Sequence, residues 1–235
     1  MMVRQIIGGL MGLWLGSTGM AMAQGASGVV VELYTSQGCS SCPPADAYLK
    51  KLAAEPGIIA LALHVDYWDY IGWADDFASP DYTARQKTYA HAMSSNSIFT
   101  PQMIVAGVDS AEGNDPSQVE GSVRRHMAAA DMVTLQLMRQ GQTLTIHATA
   151  NVAVGQPLRV QLVRYTPSVT REIKHGENAG RVIEYTNIVT SWQQLGTWSG
   201  DGDLQMTAPV PGNDRVVVIL QAAGPGMIFA ASELQ

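Results

Sequence analysis

Cys39 and Cys42 are the only cysteines of the chain, and two serines separate them. Thiol–disulfide exchange needs one thiolate that attacks and a second thiol close enough to resolve the mixed disulfide. Pro43 and Pro44 follow the pair directly, and proline suits the first turn of a helix. Cys39 is therefore expected beside a helix N-terminus, where free N–H groups and the helix dipole favour negative charge. That setting lowers a thiol pKa, which assigns Cys39 as the nucleophile and Cys42 as the resolving thiol. A bridge closing so small a loop adds little chain-entropy stabilisation, and disulfide-stapled exported scaffolds carry more, widely spread cysteines. A structural zinc site would need two further ligands, and there is no second cysteine pair.

Other residues could join this chemistry. Glu32 lies seven residues before Cys39; a buried carboxylate there could take the proton of Cys42, or it could be a strand glutamate satisfied by neighbouring donors. His64 is followed by Asp66 and Asp69 and sits where α/β sheets place functional groups, at a strand end. It could stabilise a thiolate, bind a metal or anchor a loop. Residues 66–80 form an aromatic, acidic stretch with Tyr67, Trp68, Tyr70, Trp73 and Phe77. Tyr67 and Trp68 are candidates for a substrate groove, and the alternative is a small core beneath a long loop. Arg85 and Gln86 are expected to clamp this loop through an aspartate. The scattered methionines read as core filler.

These residues need a frame. Val29 to Thr35 reads as a buried strand, Ser36-Gln37-Gly38 as a turn, Ala45 to Ala54 as a helix stopped by Pro56-Gly57, and Ile58 to Val65 as a second strand. This is a βαβ pattern. A helix over 81–93, a strand over 102–106 after Thr100-Pro101, an edge strand near 108–111 and a helix opened by Asp115-Pro116 follow. After Asp131 the pattern changes to short alternating runs punctuated by glycines. The expected fold is an α/β domain over 27–131 followed by a mostly antiparallel, sandwich-like β domain over 132–235.

Arg4, the apolar stretch from Ile6 to Leu15 and the small residues around Ala21-Met22-Ala23 have the layout of a secretory signal peptide over 1–23. The apolar run is shorter than the roughly 20 residues of a membrane anchor. The expected protein is exported, periplasmic or secreted, with no membrane span in the mature chain, in a compartment where disulfides persist. A formal net charge of -6 argues against a nucleic-acid partner.

Val29 to Ala54 with its Cys-Ser-Ser-Cys, and Thr100-Pro101 before a strand, resemble the thioredoxin superfamily. That resemblance implies a cis Pro101 facing the cysteine pair and a substrate contact at Thr100. Glu32 to Pro44, His64 to Tyr70, Arg85-Gln86 and Gly176 to Arg181 resemble domain-of-unknown-function family 1223, exported and mostly bacterial proteins with no settled activity. Thioredoxin carries a buried aspartate six residues before its first cysteine; here that position is Leu33. The leading expectation is an exported thiol–disulfide oxidoreductase acting on protein or small-molecule thiols, with a redox partner protein and no other cofactor. One rival is copper handling by Cys39, Cys42 and His64. The other is a non-enzymatic binding module whose cysteines form a structural disulfide.

Overall fold

The structure, a computed structural model, describes residues 23–129 and 131–234. The leader expected over 1–23 lies, but for Ala23, outside the described residues. Two short strands, β1 (Ala23–Gln24) and β2 (Ala26–Ser27), lead into β3 (Val29–Thr35). The turn with Cys39 and Cys42 then opens α1 (Pro43–Leu52), and β4 (Ile58–His64) returns parallel to β3. After a 3-10 turn (Asp69–Ile71) come α2 (Pro80–Ala92), β5 (Gln102–Val105), β6 (Asp109–Glu112) and α3 (Pro116–Met127). Seven strands complete the chain: β7 (Val133–Gln140), β8 (Thr143–Ala150), β9 (Leu158–Glu172), β10 (Val182–Trp198), β11 (Leu204–Pro209), β12 (Arg215–Ala222) and β13 (Ile228–Leu234).

Local chemistry explains the helix starts. Ser79 accepts from the Asp81 N–H and Asp115 from those of Ser117 and Gln118, each followed by a proline in the first turn. At α1 the N-cap is Cys42 itself, with no side-chain cap bond.

The expected fold class is corrected here. Among the described residues the molecule is mostly β, with thirteen strands against three α-helices. A curled nine-stranded sheet runs β2-β13-β12-β9-β10-β4-β3-β5-β6. It is not an α/β thioredoxin-like domain followed by a separate β sandwich. The physical reason is the free edge of β4. A strand edge presents unpaired N–H and C=O groups, and β10 covers this one by parallel pairing at Ile188 and Ala62. The long β9–β10 hairpin thus carries the later antiparallel strands into the same sheet as β3 and β4. A second sheet, β1-β7-β8-β11, packs over it.

Side-chain alternation divides the interior. Val31 and Leu33 of β3 join Ala45, Leu49 and Leu52 of α1 in one core. Val30 and Tyr34 join Tyr82 and Tyr89 of α2 and Val217 and Ile219 of β12 in a second, on the other face. A third core lies between the two sheets, where Leu135, Leu144 and Ile146 meet Val160, Val216 and Val218. No described helix is long and apolar enough to cross a membrane.

Candidate functional site

Cys39 and Cys42 form a disulfide with Cα atoms 5.4 Å apart. Two turn bonds fold the chain into this position, Cys39 N–H to the Ser36 carbonyl and Cys42 N–H to the Cys39 carbonyl, both 3.2 Å. The Cys42 carbonyl then accepts from the N–H groups of Ala45 and Asp46 and starts the helix. Both cysteines are fully buried, while Ser40 and Ser41 between them are exposed. Ser41 Oγ lies 3.4 Å from Cys39 Sγ and 3.5 Å from the Thr100 carbonyl oxygen.

The Thr100–Pro101 peptide bond is cis. Trp68 Nε1 donates to Thr100 Oγ1 at 2.7 Å, and the Trp68 side chain also packs on Gly38, where an added Cβ would come within 3.3 Å of it. Trp68 therefore spans from the turn before Cys39 to the residue before Pro101. Tyr67 stands beside it, half-buried, with ring centroids 6.2 Å apart. Of the residues expected at the site, the fold brings together Cys39, Cys42, Thr100, Pro101, Tyr67 and Trp68.

Glu32 and His64 are placed otherwise. Side chains alternate along a strand, and Leu33 takes the face under α1. Glu32 points to the opposite face, where Arg85, Tyr34 and Tyr89 bond its carboxylate. It cannot serve Cys42 from there, which corrects its expected catalytic role. It also corrects the expected Arg85 clamp on a loop aspartate, since Arg85 holds Glu32. Gln86 instead donates to the Phe99 carbonyl and to Gln102. His64 is fully buried and lines no groove. Its Nδ1 donates to Asp75 Oδ2 at 2.7 Å, and its ring meets Phe77 and Tyr185 edge-on. Burial alone would lower the His64 pKa; the contacting Asp75 carboxylate, with Asp46 and Asp76 beyond it, raises it above the usual imidazole value. The anchoring role is the one the geometry supports.

Asp46 is the buried carboxylate that sequence reasoning missed. It lies one helical turn after Cys42, and its backbone N–H donates to the Cys42 carbonyl at 3.1 Å. Thr35 Oγ1 donates to Asp46 Oδ1 at 2.8 Å. Burial pushes its pKa from 3.8 up to about 7, against the opposing pull of His64 and the Thr35 bond. An aspartate in the first turn of a helix ordinarily faces solvent and serves the dipole, so its type and position gave no sign of burial.

The loop over 66–79 is tied down by its own acids. Asp75 accepts from the Gln37 N–H at 2.8 Å, from His64 and from the Phe77 N–H. Trp73 Nε1 donates to Gln37 Oε1, and Gln37 Nε2 donates to Asp76. From the far side, the segment 173–181 between β9 and β10 reaches the cysteine turn. There Asn178 Nδ2 donates to the carbonyls of Gln37 (2.9 Å) and Cys39 (2.8 Å). Gly176 and Gly180 both adopt positive φ in this segment, which the sequence marks through its resemblance over Gly176 to Arg181. Among the described residues no group of three His, Cys, Asp or Glu side chains is arranged to hold a metal ion.

A family model described as a protein of unknown function, DUF1223, matches residues 30–221. Among solved structures, protein AGR_C_4864 from Agrobacterium tumefaciens is 32% identical, with a TM-score of 0.75 over 89% of this chain and 94% of that one. HBP35 of Porphyromonas gingivalis shares the fold at 13% identity, with a TM-score of 0.62 over 88% of this chain and 74% of that one. No curated protein matches the sequence.

Proposed function

The chain belongs to the DUF1223 family, and from that premise we propose that it is an exported thiol–disulfide exchange protein working through Cys39 and Cys42. The observation that carries this reading is the disulfide at the start of α1 with an ionisable carboxylate, Asp46, buried one turn behind it. A bridge spanning two residues adds little as a staple, whereas a pair with Cys42 at the helix N-cap and Cys39 in the turn just before it lies where free N–H groups favour a thiolate.

In the reduced protein the Cys39 thiolate attacks one sulfur of a substrate disulfide. The substrate S–S bond breaks, a mixed disulfide forms and the first substrate thiolate leaves. Cys42 then loses its proton and attacks Cys39 Sγ, which releases the second substrate thiolate and closes the Cys39–Cys42 bond. Two electrons pass to the substrate, and a redox partner restores them to the pair. Asp46, with its pKa raised to about 7, is suited to accept the Cys42 proton at neutral pH. Trp68, Thr100 and Pro101 form the surround into which the substrate cysteine must fit.

One observation favours a second reading. Both cysteines have no exposed surface in the oxidised state, as a purely structural disulfide would. Trapping separates the two. Cys42→Ser protein, incubated with the exported fraction of cells that make the native chain, is expected to hold specific partners through Cys39 that dithiothreitol releases. Partners absent from the trap, together with a Cys39 thiol that ionises only at ordinary free-cysteine pH, would leave the structural disulfide as the function of the pair.

A further inference from the structure

The geometry points to Asn178 as the positioning residue that holds the cysteine turn in its oxidised shape and so sets how readily the disulfide is reduced. Asn178 is 1% exposed. One amide nitrogen gives both its hydrogens to the turn, to the carbonyls of Gln37 and Cys39. Among the described residues its Oδ1 is buried with no hydrogen-bond partner. The amide is oriented by the two bonds it donates.

The segment that carries Asn178 is braced for this task. Ile173 N–H donates to the Arg181 carbonyl, Gly180 N–H to that of Ile173 and Arg181 N–H to that of Asn178. Gly176 sits at φ +77, against Trp73, and its absent Cβ would lie 3.3 Å from the Trp73 Cβ. Arg171 at the base of the segment pairs with Asp76 at 2.8 Å. The amide of Asn178 is thus delivered by a rigid element of the C-terminal half onto the turn that carries the nucleophile.

Both acceptor carbonyls flank Gly38, the residue before Cys39. Pinning them keeps the Cys39 sulfur in reach of Cys42 and raises the effective concentration of one thiol for the other. A contact that fits the oxidised turn better than the reduced one shifts the equilibrium by its differential strength. Without it the pair is easier to reduce, and Cys39 gains access to solvent.

The assignment rests on the exchange reading for its biological meaning, but its test does not. In full-length protein equilibrated with glutathione, two glutathione thiols supply two electrons and two protons to the pair, and glutathione disulfide forms. Asn178→Ala is expected to shift this equilibrium about tenfold toward the dithiol, equivalent to roughly 30 mV in potential, and to speed alkylation of Cys39 under reducing conditions. Glu177→Ala, an exposed neighbour in the same turn, should leave both unchanged. If Asn178→Ala does not fold, Asn178→Ser keeps one donor in a smaller side chain and should show a smaller shift in the same direction. A folded Asn178 variant within twofold of the native equilibrium would overturn the assignment. A shift in Asn178→Ala alongside an empty Cys42→Ser trap would uphold the clamp and remove the exchange function.

Discussion

Arg85 grips Glu32 through two parallel hydrogen bonds, Nε to Oε2 and Nη2 to Oε1, each 2.8 Å. The pair lies on the face of β3 that packs against α2, with Glu32 fully buried. The Trp192 ring lies 3.8 Å from the Arg85 guanidinium carbon, and the Tyr34 and Tyr89 hydroxyls donate to the same carboxylate. Burial and the Glu32 charge hold both phenols well above their ordinary pKa, so they remain donors. The carboxylate that sequence reasoning offered for catalysis is instead the centre of a structural network.

Removing Arg85 would therefore strand a buried charge. Arg85→Ala is expected to lose about 3–5 kcal/mol of stability, read as a lower urea midpoint. Its exchange rate per folded molecule should match that of the native protein, because the network faces away from α1. An unchanged midpoint would mean that Arg85 does not hold the network together and that Glu32 finds other partners.

Asp46 makes stability depend on pH with a sign opposite to that of a salt-bridged carboxylate. Its pKa rises from 3.8 to about 7 on folding, so the folded state binds more protons than the unfolded state between those values. Stability from this group is fully present below pH 4 and is lost as pH rises through about 7. Asp46→Asn keeps an oxygen for the Thr35 hydroxyl but cannot ionise. The native protein is expected to lose stability relative to Asp46→Asn by up to about 1.4 kcal/mol per pH unit across this window. Urea titrations at several pH values measure the difference, and parallel stability profiles would show that Asp46 does not titrate there. The variant should also lose the inflection near pH 7 in the rate of mixed-disulfide resolution.

How much of this was legible depends on the range over which each feature is determined. The strands at 29–35 and 58–64, the helix starts at Pro80 and Pro116 and the cysteine turn follow from nearest neighbours, and they form close to where residue types place them. The pairing of β10 with β4 does not, because nothing in Ile58–His64 says which later strand will cover its edge. The β9–β10 hairpin for that reason reads as part of a separate unit until its register is seen. Site residues divide in the same way. Cys39, Cys42, Thr100 and Pro101 carry signals in their own types and spacing. Asp46 is defined by burial beside Thr35 and leaves no local trace; the segment of Asn178 stands out through its resemblance, but the role of Asn178 rests on a contact across 139 residues of sequence to Cys39. Of the two readings open for Glu32, alternation along β3 favours the structural one, since it puts Leu33 on the α1 face and Glu32 opposite, beside Arg85.

Two glycines should respond to alanine in opposite directions, and the contrast tests the packing behind Pro101. Gly113 N–H donates to the Pro101 carbonyl at 2.9 Å. A Cβ there would lie 2.8 Å from the Pro101 Cβ and 3.0 Å from the Ala45 Cβ, too close for either to stay in place. Gly113→Ala must push the Thr100–Pro101 turn away from α1, and overpacking of this kind costs about 1–3 kcal/mol. Gly121 lies within α3, where an added Cβ meets nothing nearer than Arg125 Nη1 at 3.8 Å. Relieved of the backbone entropy cost of glycine, Gly121→Ala should gain roughly 0.5–1 kcal/mol. Thermal unfolding in one buffer should thus lower the midpoint of the first variant and raise that of the second. The displacement in Gly113→Ala also moves the Thr100 carbonyl away from Ser41, so its exchange rate should fall while that of Gly121→Ala holds. Equal midpoints for the two variants would mean that the turn carrying Pro101 yields freely, and that α1 does not position it.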